Sequence, residues 1–500
     1  MAEPHITVLS GSDLEFIHQR TVEVLQEVGV RFQSAHARSV LTAAGCICAG
    51  DDIVRIPRDL VEWALGKLQR DVLLAGRDPR YDALLDGSRT YATIAGICPY
   101  VLDMDSGLYR VPREQDLADI TRAADALDAC GIVWYSVSPT EGVAPKMVDV
   151  AAVACMLANT GKHVQAQVQR PAEVPYVLEM LEACAPPEST PVEAVPAGAA
   201  AVERPAGAAA SPGRRPFFSV IYCPIAPLQH EGPALEAAMA LAEERVPIDI
   251  FSLGLAGATA PVSLAGTMIQ TNCDVLSAVV LFQLIAEGCP LIYSANAGTM
   301  DMRTSRFAAA GPEAALMNVA QTELVHSYGM PALSVGHVSD SSTLDFRGGL
   351  EDMGMSMATR LARPDIMTGL GTVEAGQAVS LLKLVLDADL SGYLDRVLRG
   401  IAVDDDHAAI ASIAAVGPGG HYLGRKETRQ GIRGGEHWVP RLLARDSYPD
   451  RERGAPGALE RARAEVDRIL AEHDPLPLPS GAADKLADIL TRAEAELPEA

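Results

Sequence analysis

Eight short apolar runs, each followed by a stretch of helical periodicity, constrain the fold of this chain more than any other feature. Short runs of this kind are typical of buried strands, and their alternation with helical segments is typical of a parallel sheet with crossover helices. The runs are Tyr91 to Gly96, Ile132 to Val137, His163 to Val168, Phe217 to Tyr222, Pro247 to Ser252, Pro290 to Ser294, Pro331 to Val335 and Asp365 to Gly369. Eight parallel strands close a barrel, so the sequence predicts a (β/α)8 barrel of the TIM type.

The regions on either side of the barrel are predicted to be helical. Apolar positions recur at helical spacing from Leu14 to Gly29 and from Arg58 to Leu68. The predicted regions are a helical N-terminal extension (1–89), the barrel (90–371) and a helical C-terminal region (372–500) with a glycine-rich segment at 417–420.

One segment interrupts the alternation of strands and helices. Pro191 to Pro216 is rich in Ala, Pro and Gly and has no amphipathic period. Such a composition buries too little apolar surface to order itself, which predicts a flexible surface insertion. A domain boundary is the alternative, but the alternation resumes unchanged afterwards and favours the insertion.

Charge and composition exclude several classes of protein. The net charge of −24 and the pI of about 4.8 disfavour nucleic acid and anionic membranes, which both require clustered Lys and Arg. The sequence has neither the pattern of a signal peptide nor an apolar run of about 18 residues, since the run from Val275 to Ala286 is too short. The nine cysteines are scattered without a C-x-x-C pair, which disfavours disulfides and a cysteine-rich zinc site. We expect a cytoplasmic enzyme without a bound metal.

The predicted catalytic mouth is lined mostly by neutral polar residues. Chemistry in such barrels lies at the carboxyl ends of the strands. The residues at or just after these ends are Cys98, Pro99, Ser138, Thr140, Gln165, Gln167, Tyr222, Thr259, Asn296, His337, Ser339, Asp340 and Gly371. They form no G-x-S-x-G elbow, P-loop or G-x-G-x-x-G fingerprint, so hydrolase, NTPase and Rossmann functions have no local support.

The segment from Gly336 to Glu351 combines a histidine with several carboxylates just beyond the seventh run. Asp340 is interpreted either as an acid/base group or counter-charge for a cationic substrate, or as a turn cap; for Asp345 a helix cap is favoured. His337 lies beside the mouth, although a lone histidine is more often part of hydrogen-bonded packing.

A second group of candidates would recognise a zwitterionic ligand. His421 follows consecutive glycines whose N–H groups can approach an anion, although the same glycines also suit a helix stop. Tyr222 and Tyr293 lie at or near strand ends and offer aromatic faces to a quaternary ammonium, unless they belong to the core.

Several colinear motifs resemble one enzyme family over nearly the whole chain. They are TVEVLQEVGVRF (Thr21 to Phe32), DMDSGLYRVPREQDLADITRAADAL (Asp103 to Leu127), ANTGKHV (Ala158 to Val164), GATAPVSLAGT (Gly257 to Thr267), SVGHVSDSSTLDFRGGLE and VGPGGHYLGRKETR. Together they resemble the trimethylamine methyltransferase family, which comprises corrinoid-protein methyltransferases and includes glycine betaine enzymes that lack pyrrolysine. The resemblance implies a (β/α)8 barrel that transfers a methyl group from a methylated amine to the reduced cobalt of a separate corrinoid (cobalamin) protein docked over the mouth.

One departure from that family narrows the expected substrate. The family's trimethylamine enzymes carry pyrrolysine in the loop that matches Gly336 to Asp340, where this chain has only standard residues. A quaternary ammonium already carries a leaving amine, so the chain resembles the non-pyrrolysine branch, whose substrates are betaines. The resemblance implies no tightly bound cofactor, because a partner protein supplies the corrinoid.

We therefore predict a methyltransferase that acts on a betaine-type quaternary amine and associates with a corrinoid protein. A homo-oligomer is compatible with this prediction. The predicted catalytic residues are Asp340 and His337, and the predicted substrate-binding residues are Tyr222, Thr259, Asn296, His421 and Tyr293. Two alternatives stay open: a non-catalytic barrel that binds betaines or the corrinoid protein, and a barrel lyase or aldolase. The lyase has less support, because the strands show no lysine for a Schiff base and no carboxylate cluster for Mg²⁺.

Overall fold

The computed structural model describes residues 4–50, 52–186 and 215–499. The predicted insertion at 191–216 lies outside the described residues apart from Arg215 and Pro216.

The described residues form strands and helices in regular alternation after a mixed N-terminal region. The strands are β1 (Val30–Phe32), β2 (Ile47–Ala49), β3 (Ile53–Arg55), β4 (Val72–Leu74), β5 (Ala83–Leu85), β6 (Tyr91–Ile94), β7 (Tyr100–Leu102), β8 (Tyr109–Arg110), β9 (Cys130–Trp134), β10 (His163–Ala166), β11 (Phe218–Tyr222), β12 (Gln229–His230), β13 (Ile248–Ala256), β14 (Leu291–Asp301), β15 (Arg306–Ala308), β16 (Ala332–Val335), β17 (Ile366–Leu370), β18 (Thr372–Val373) and β19 (Ala378–Val379). The helices are α1 (Gly11–Glu27), α2 (Ala35–Ala43), α3 (Arg58–Leu65), α4 (Glu114–Ala126), α5 (Val148–Asn159), α6 (Val174–Cys184), α7 (Gly232–Glu243), α8 (Leu264–Ile285), α9 (Pro312–Ser327), α10 (Phe346–Ala362), α11 (Leu381–Leu398), α12 (Asp405–Ala408), α13 (Ile410–Val416), α14 (Lys426–Arg433), α15 (Tyr448–Glu452), α16 (Ala458–Glu472) and α17 (Ala482–Glu496).

Eight parallel strands close into the predicted barrel. Their order around it is β6, β9, β10, β11, β13, β14, β16 and β17, and β17 pairs back to β6. Each strand is followed along the chain by one long helix, from α4 after β6 to α11 after β17. All eight runs predicted from the sequence are barrel strands, which confirms the (β/α)8 fold.

Two barrel strands are longer than predicted. β13 continues past the expected end at Ser252 to Ala256, and β14 continues past Ser294 to Asp301. The two strands pair in parallel over their whole common length, and β15 adds an antiparallel strand to the end of β14. The added strand residues include several Gly and Ala and few β-branched residues, so strand propensity did not predict the longer strands. The pairing between β13 and β14 supports these residues instead.

The N-terminal region contains strands as well as the predicted helices. α1 and α3 confirm the two helical patterns, but β1, β2 and β3 form a small sheet with β12. β4 and β5 form an antiparallel hairpin whose apolar side chains pack against barrel residues. The prediction of a purely helical extension was therefore incomplete, because strands of three residues are too short to show a period.

In the C-terminal region, predicted as helical for 372–500, the short strands β18 and β19 precede the helices α11 to α17. α16 packs against α11 and α4, and α17 packs against α6 and α5 on the outside of the barrel. The glycine-rich segment at 417–420 lies between α13 and α14.

The helix α8 is long and apolar enough to cross a membrane by length and composition alone. Within the protein, 83% of its most apolar window is buried against other elements. This burial is typical of a core helix, and α8 contacts the barrel strand β13 and the N-terminal helix α1.

The nine cysteines are all free, and seven of them are buried. Burial raises the pKa of the Cys98 thiol to about 12, so this thiol stays protonated near neutral pH. The seven buried cysteines thus act as small apolar core residues.

Candidate active site in the barrel interior

The amino-terminal half of the barrel interior is apolar and closed. Alternate residues of a strand point to opposite faces, and the first inward-facing residues form one hydrophobic cluster. This cluster joins barrel residues to the β4–β5 hairpin and consists of Val72, Leu74, Ala83, Leu85, Tyr91, Ile132, Ile292, Leu333 and Ile366, with Phe251 packed against it. The hairpin therefore seals this end of the barrel.

Above this layer the interior becomes polar around one carboxyl group, that of Asp249 on β13. The Gln165 side chain on β10 donates to Asp249 at 2.8 Å, and the Ser294 hydroxyl on β14 also donates to it. Because β11 separates β10 from β13, the bond from Gln165 crosses the barrel interior. Asp249 is fully buried, and desolvation raises its pKa to about 7 although both hydrogen bonds oppose this shift.

Two aromatic side chains face the same interior. The rings of Trp134 on β9 and Phe251 on β13 lie 5.8 Å apart, although two other strands separate β9 from β13. Phe251 lies two residues beyond Asp249 and shares its face of the strand. Gly96 makes room for the indole, since a Cβ at this position would lie 2.9 Å from Trp134.

Four buried polar atoms on interior-facing residues have no hydrogen-bond partner among the described residues. They are Thr93 Oγ1, Trp134 Nε1, Ser136 Oγ and Gln165 Oε1. Buried polar atoms in proteins are nearly always paired, so a group of them lining one space points to a ligand that supplies the partners. Thr93, Trp134 and Ser136 belong to neighbouring strands, β6 and β9 or the residues just after β9, and all three can donate.

The interior-facing residues of the eight strands include neither Lys nor Arg. His163, near the sealed end, is held by Ala75 and Ser219, and burial lowers its pKa to about 4, so it is neutral at physiological pH. Asp249 therefore has no cationic partner on the strands. The arrangement suits a ligand that brings its own positive charge.

The structure places two predicted residues, Tyr222 and Tyr293, on the outer face of the barrel. The Tyr222 hydroxyl bonds His230 at 2.7 Å and its ring meets Phe282 of α8 edge-on. The Tyr293 hydroxyl donates to Asn272 of α8 at 3.0 Å. Both rings thus pack in the helix layer, directed away from the interior, whereas Trp134 and Phe251 are aromatic groups that face it.

Asn296 lies on the extended part of β14, and Thr259 lies in the turn after β13. Asn296 is two residues beyond Ser294 on β14 and shares its inward face, so it lies above Asp249 toward the mouth. The Thr259 hydroxyl accepts from the Leu255 N–H at 3.0 Å and closes the turn after β13. Of the residues predicted for substrate binding, Asn296 is the one that joins the polar interior.

Asp340 and the neighbouring Asp345 both bind backbone. Asp340 accepts from the N–H groups of Ala309 and Ala310, at 2.8 and 3.2 Å, and ties the loop after β16 to the chain after β15. Partial burial raises its pKa. Asp345 caps α10 by accepting from Gly348 at 2.8 Å, as the helix-cap interpretation expected.

His337 belongs to a buried ionic cluster outside the barrel, between β16, α10 and α11. Its ring bonds Ser356 and Ser391, at 3.1 and 3.2 Å, and its Nδ1 lies 3.3 Å from Asp352.

In the same cluster, Lys383 bridges Asp352 and Asp387, and all three of these side chains are buried. The ligand atoms of His337, Asp352 and Asp387 lie close enough to hold a metal ion, but the Lys383 ammonium already contacts both carboxylates. The cluster is therefore an internal salt bridge that connects α11 to α10.

His421 is exposed on the segment between α13 and α14. Among the described residues, no hydrogen bond or ring contact joins it to a barrel residue. The structure thus does not bring His421 together with Asp249 and Asn296.

Asp249, Trp134 and Thr93 were missed from the sequence as site residues. A signal for Asp249 was present, because a charged residue in the middle of the apolar run Pro247 to Ser252 is seldom buried without a function or a partner. Counting in steps of two from Asp249 also selects Phe251 as its neighbour on the same face.

A cavity of about 850 Å³ lies at the opposite edge of the barrel. It is lined by residues that include Arg70, His326, Arg363 and Asp365. Asp365 accepts from the backbone N–H groups of Gly87 and Ala332, at 2.8 and 2.9 Å, and so joins loops at the amino-terminal edge. Residues at this edge of TIM barrels serve stability, so the polar interior near the carboxyl edge is the candidate site.

Several known proteins are similar to this chain. Residues 2–498 match the family described as trimethylamine methyltransferase (MTTB). The chain is 30% identical over 489 residues to trimethylamine methyltransferase MttB of Desulfitobacterium hafniense (strain DSM 10664 / DCB-2), covering 97% of this chain and 94% of the relative. It is 26% identical over 497 residues to the glycine betaine methyltransferase of Desulfitobacterium hafniense (strain Y51), covering 99% of both.

Among solved structures, the crystal structure of the hydroxylamine MtmB complex is similar, with a TM-score of 0.48, 10% identity, and coverage of 96% of this chain and 88% of that one. The family match spans nearly the whole chain, and this chain therefore belongs to the trimethylamine methyltransferase family of methyltransferases.

Proposed function

We propose that this protein is a cytoplasmic methyltransferase that removes a methyl group from a betaine-type quaternary amine and transfers it to the reduced cobalt of a corrinoid carried by a partner protein. The observation that carries the proposal is the buried carboxyl of Asp249, which faces the same interior as Trp134 and Phe251 and has no cationic partner on the strands. A carboxylate and two aromatic faces in a dry site suit a quaternary ammonium, which forms no hydrogen bonds and is held by charge and by cation–π contacts.

The opposite wall of the interior supports a betaine over a simple cation. The unpaired donors of Thr93, Trp134 and Ser136 suit the carboxylate of a zwitterion, while Asp249 suits its ammonium group. Asn296 adds an amide on the Asp249 side nearer to the mouth. The relative named glycine betaine methyltransferase, matched over 99% of its length, supports the same substrate class.

The standard residues at Gly336 to Asp340 also favour a quaternary amine. In the transfer, one N–CH₃ bond breaks, its electron pair stays on nitrogen, and the product is a neutral tertiary amine. The acceptor provides the electron pair of the new bond, so no proton moves and no covalent bond to the protein forms. The protein contributes position and electrostatics: Asp249 and the aromatic rings hold the ammonium, and the donors on β6 and β9 orient the rest of the molecule.

The loops at the carboxyl edge support the docking of a protein partner. Large apolar side chains are exposed after three successive barrel strands: Val262 and Met302 lie in the loops after β13 and β14, and Phe346 and Leu350 lie at the start of α10, after β16. Exposed apolar residues grouped around a site mark a protein contact more often than isolated ones do. A partner seated on these loops covers the opening above Asp249.

The titration of Asp249 predicts a characteristic pH dependence of substrate binding. The pKa of its carboxyl in the free protein is about 7, and a quaternary ammonium binds the ionised form and lowers this pKa. The KM for glycine betaine should therefore fall about tenfold as the pH rises from about 6 to about 8, and then level off. The substrate's own groups do not titrate in this range, so initial rates at a series of pH values report on the protein. A KM that rises with pH would contradict the assignment.

Purified full-length protein, mixed with reduced cobalamin and one amine at a time, tests the reaction. We expect methylcobalamin to appear in the visible spectrum with glycine betaine and not with trimethylamine. Turnover of trimethylamine alone would contradict the proposal. Thermal stabilisation by betaine without turnover, even with candidate corrinoid proteins added, would instead support the non-catalytic binding barrel.

A further inference from the structure

A segment of 34 residues, Ile401 to Gly434, projects from the C-terminal end of α11, and we call it the arm. None of its residues is buried within the chain. It contains three helices, α12, α13 and α14, of 4, 7 and 8 residues. Isolated helices shorter than about 12–15 residues are marginal in water, so the arm needs a surface to pack against.

The arm also exposes large apolar side chains in unusual number for a free surface. Val403 is 89% exposed, Leu423 81%, Ile401 76% and Ile410 69%. A soluble monomer rarely leaves such residues together in water, and grouped exposed apolar side chains mark an interaction surface.

Both ends of the arm are attached to α11, and we call this place of attachment the base of the arm. Arg396 and Arg399 on α11 donate to the carbonyls of Glu436 and Gly435, each at 2.7 Å, where the chain returns. The ring of Trp438 then packs edge-on against Tyr393, also on α11, at 5.4 Å. The arm is thus a loop that leaves the last barrel helix and comes back to it.

The base of the arm lies at the amino-terminal edge of the barrel, away from the catalytic mouth. Asp395, near the end of α11, pairs with Arg360, which also donates to the carbonyl of Thr90 just before β6 begins. A partner that receives methyl groups must contact the carboxyl edge, so it is not the natural occupant of a surface that starts at the opposite end.

The charges of the arm are self-complementary. Residues 401–424 contain three carboxylates, Asp404 to Asp406, and neither Lys nor Arg. Residues 425–434 contain four basic residues and one acidic residue, which is a net charge of +3. In a two-fold interface any contact between two different regions occurs twice, so the acidic half of each arm can face the basic half of the other. The arm as a whole is neutral, although the chain carries −24, so two arms can meet without the repulsion that two bodies would have.

We infer that two copies of this chain associate through their arms, with the exposed apolar residues of Ile401 to Gly434 buried between them and the acidic half of each arm paired with the basic half of the other. The 34 residues of the arm are enough to form a stable interface, because a standard interface uses about 20–30 residues on each side. The association itself does not require methyl transfer; only the exclusion of a methyl-accepting partner from the arm rests on the proposed function.

Sedimentation of the full-length protein tests the inference directly. Wild type should sediment at twice the monomer mass of 52.8 kDa at micromolar concentration. Ile410→Asp with Ile413→Asp should convert it to monomer, with an unchanged far-UV circular dichroism spectrum. The matched control is Ile47→Asp, an exposed isoleucine of β2 outside the arm, which should leave the mass unchanged.

Charge reversal tests the pairing without removing apolar surface. Replacing Asp404, Asp405 and Asp406 with Lys should weaken the dimer at least tenfold, and so should replacing Arg425, Lys426 and Arg429 with Glu. Both sets combined should restore it, because each contact then has its charges exchanged. A monomeric wild type, a dimer that survives the Ile410/Ile413 variant, or a combined variant weaker than either set alone would overturn the inference. So would an arm variant that stays dimeric and loses only the transfer to a corrinoid protein.

Discussion

Replacing Asp249 with asparagine should lower kcat/KM for glycine betaine about 100-fold, which corresponds to about 2.7 kcal/mol of lost transition-state stabilisation. Asparagine keeps the size of the side chain and one acceptor oxygen, which can accept from Gln165 while its amide group donates to the Ser294 hydroxyl, so the change removes mainly the charge. In a buried site this charge is poorly screened and contributes strongly to holding a cation. The rise in affinity between about pH 6 and about pH 8 should disappear in the same variant. Steady-state rates across this pH range measure both effects.

Asp274 provides a matched control for this substitution. It is also fully buried with a pKa raised to about 7 by desolvation, but it lies on α8 and accepts from Leu228, Ser252 and Gln270 outside the barrel interior. Asp274→Asn should therefore change stability without removing the pH dependence of KM. If Asp249→Asn retains wild-type kcat/KM, or if both variants lose activity equally, Asp249 does not hold the substrate.

Replacing Lys383 with methionine should lower the free energy of unfolding by about 3–5 kcal/mol, because two buried carboxylates lose their shared counter-charge. Burial disfavours ionised Asp352, but the Lys383 ammonium and the His337 ring hold the pKa of this carboxyl below its ordinary value. Without Lys383, either a carboxyl must take up a proton or the contact between α10 and α11 must open. Equilibrium unfolding in urea, followed by circular dichroism, measures the loss.

The exposed pair of Lys67 and Glu287, whose charged atoms lie 2.7 Å apart, serves as the control for Lys383. Lys67→Met should change stability by less than about 1 kcal/mol, since solvent screens this pair. A Lys383→Met protein as stable as wild type would show that the cluster does not hold α11 to the barrel. Equal losses in the two variants would point to a general effect of removing a lysine.

The barrel strands were predictable from the sequence because each combines a short apolar run with a following helix of clear period. The ends of β13 and β14 were not, since residues such as Gly254 and Gly298 have low strand propensity and depend on the neighbouring strand for support. The short strands of the N-terminal region were missed for a related reason. β1, for example, pairs with β12, almost 200 residues further along the chain.

The site was less predictable than the fold, and the choice of tyrosines shows why. In a parallel barrel both faces of a strand are buried, so its sequence reads as a continuous apolar run without an alternation that marks the interior. Tyr222 and Tyr293 lie at the expected height near strand ends, but a shift of one residue exchanges the two faces. Asp249 is the residue that identifies the inner face of β13, because it is the charged group within that run. The pairing of His337 with α10 and α11 depended on helix packing, which no local pattern encodes.

The β4–β5 hairpin that seals the amino-terminal end of the barrel has a kinetic consequence. In the described part of the chain the polar interior then opens at the carboxyl edge, so under the proposed function substrate, product and methyl acceptor share one entrance. The betaine must enter before the corrinoid protein covers the loops, and the demethylated amine can leave only after that protein departs. Turnover would follow a compulsory order, with product escape timed by the separation of the two proteins.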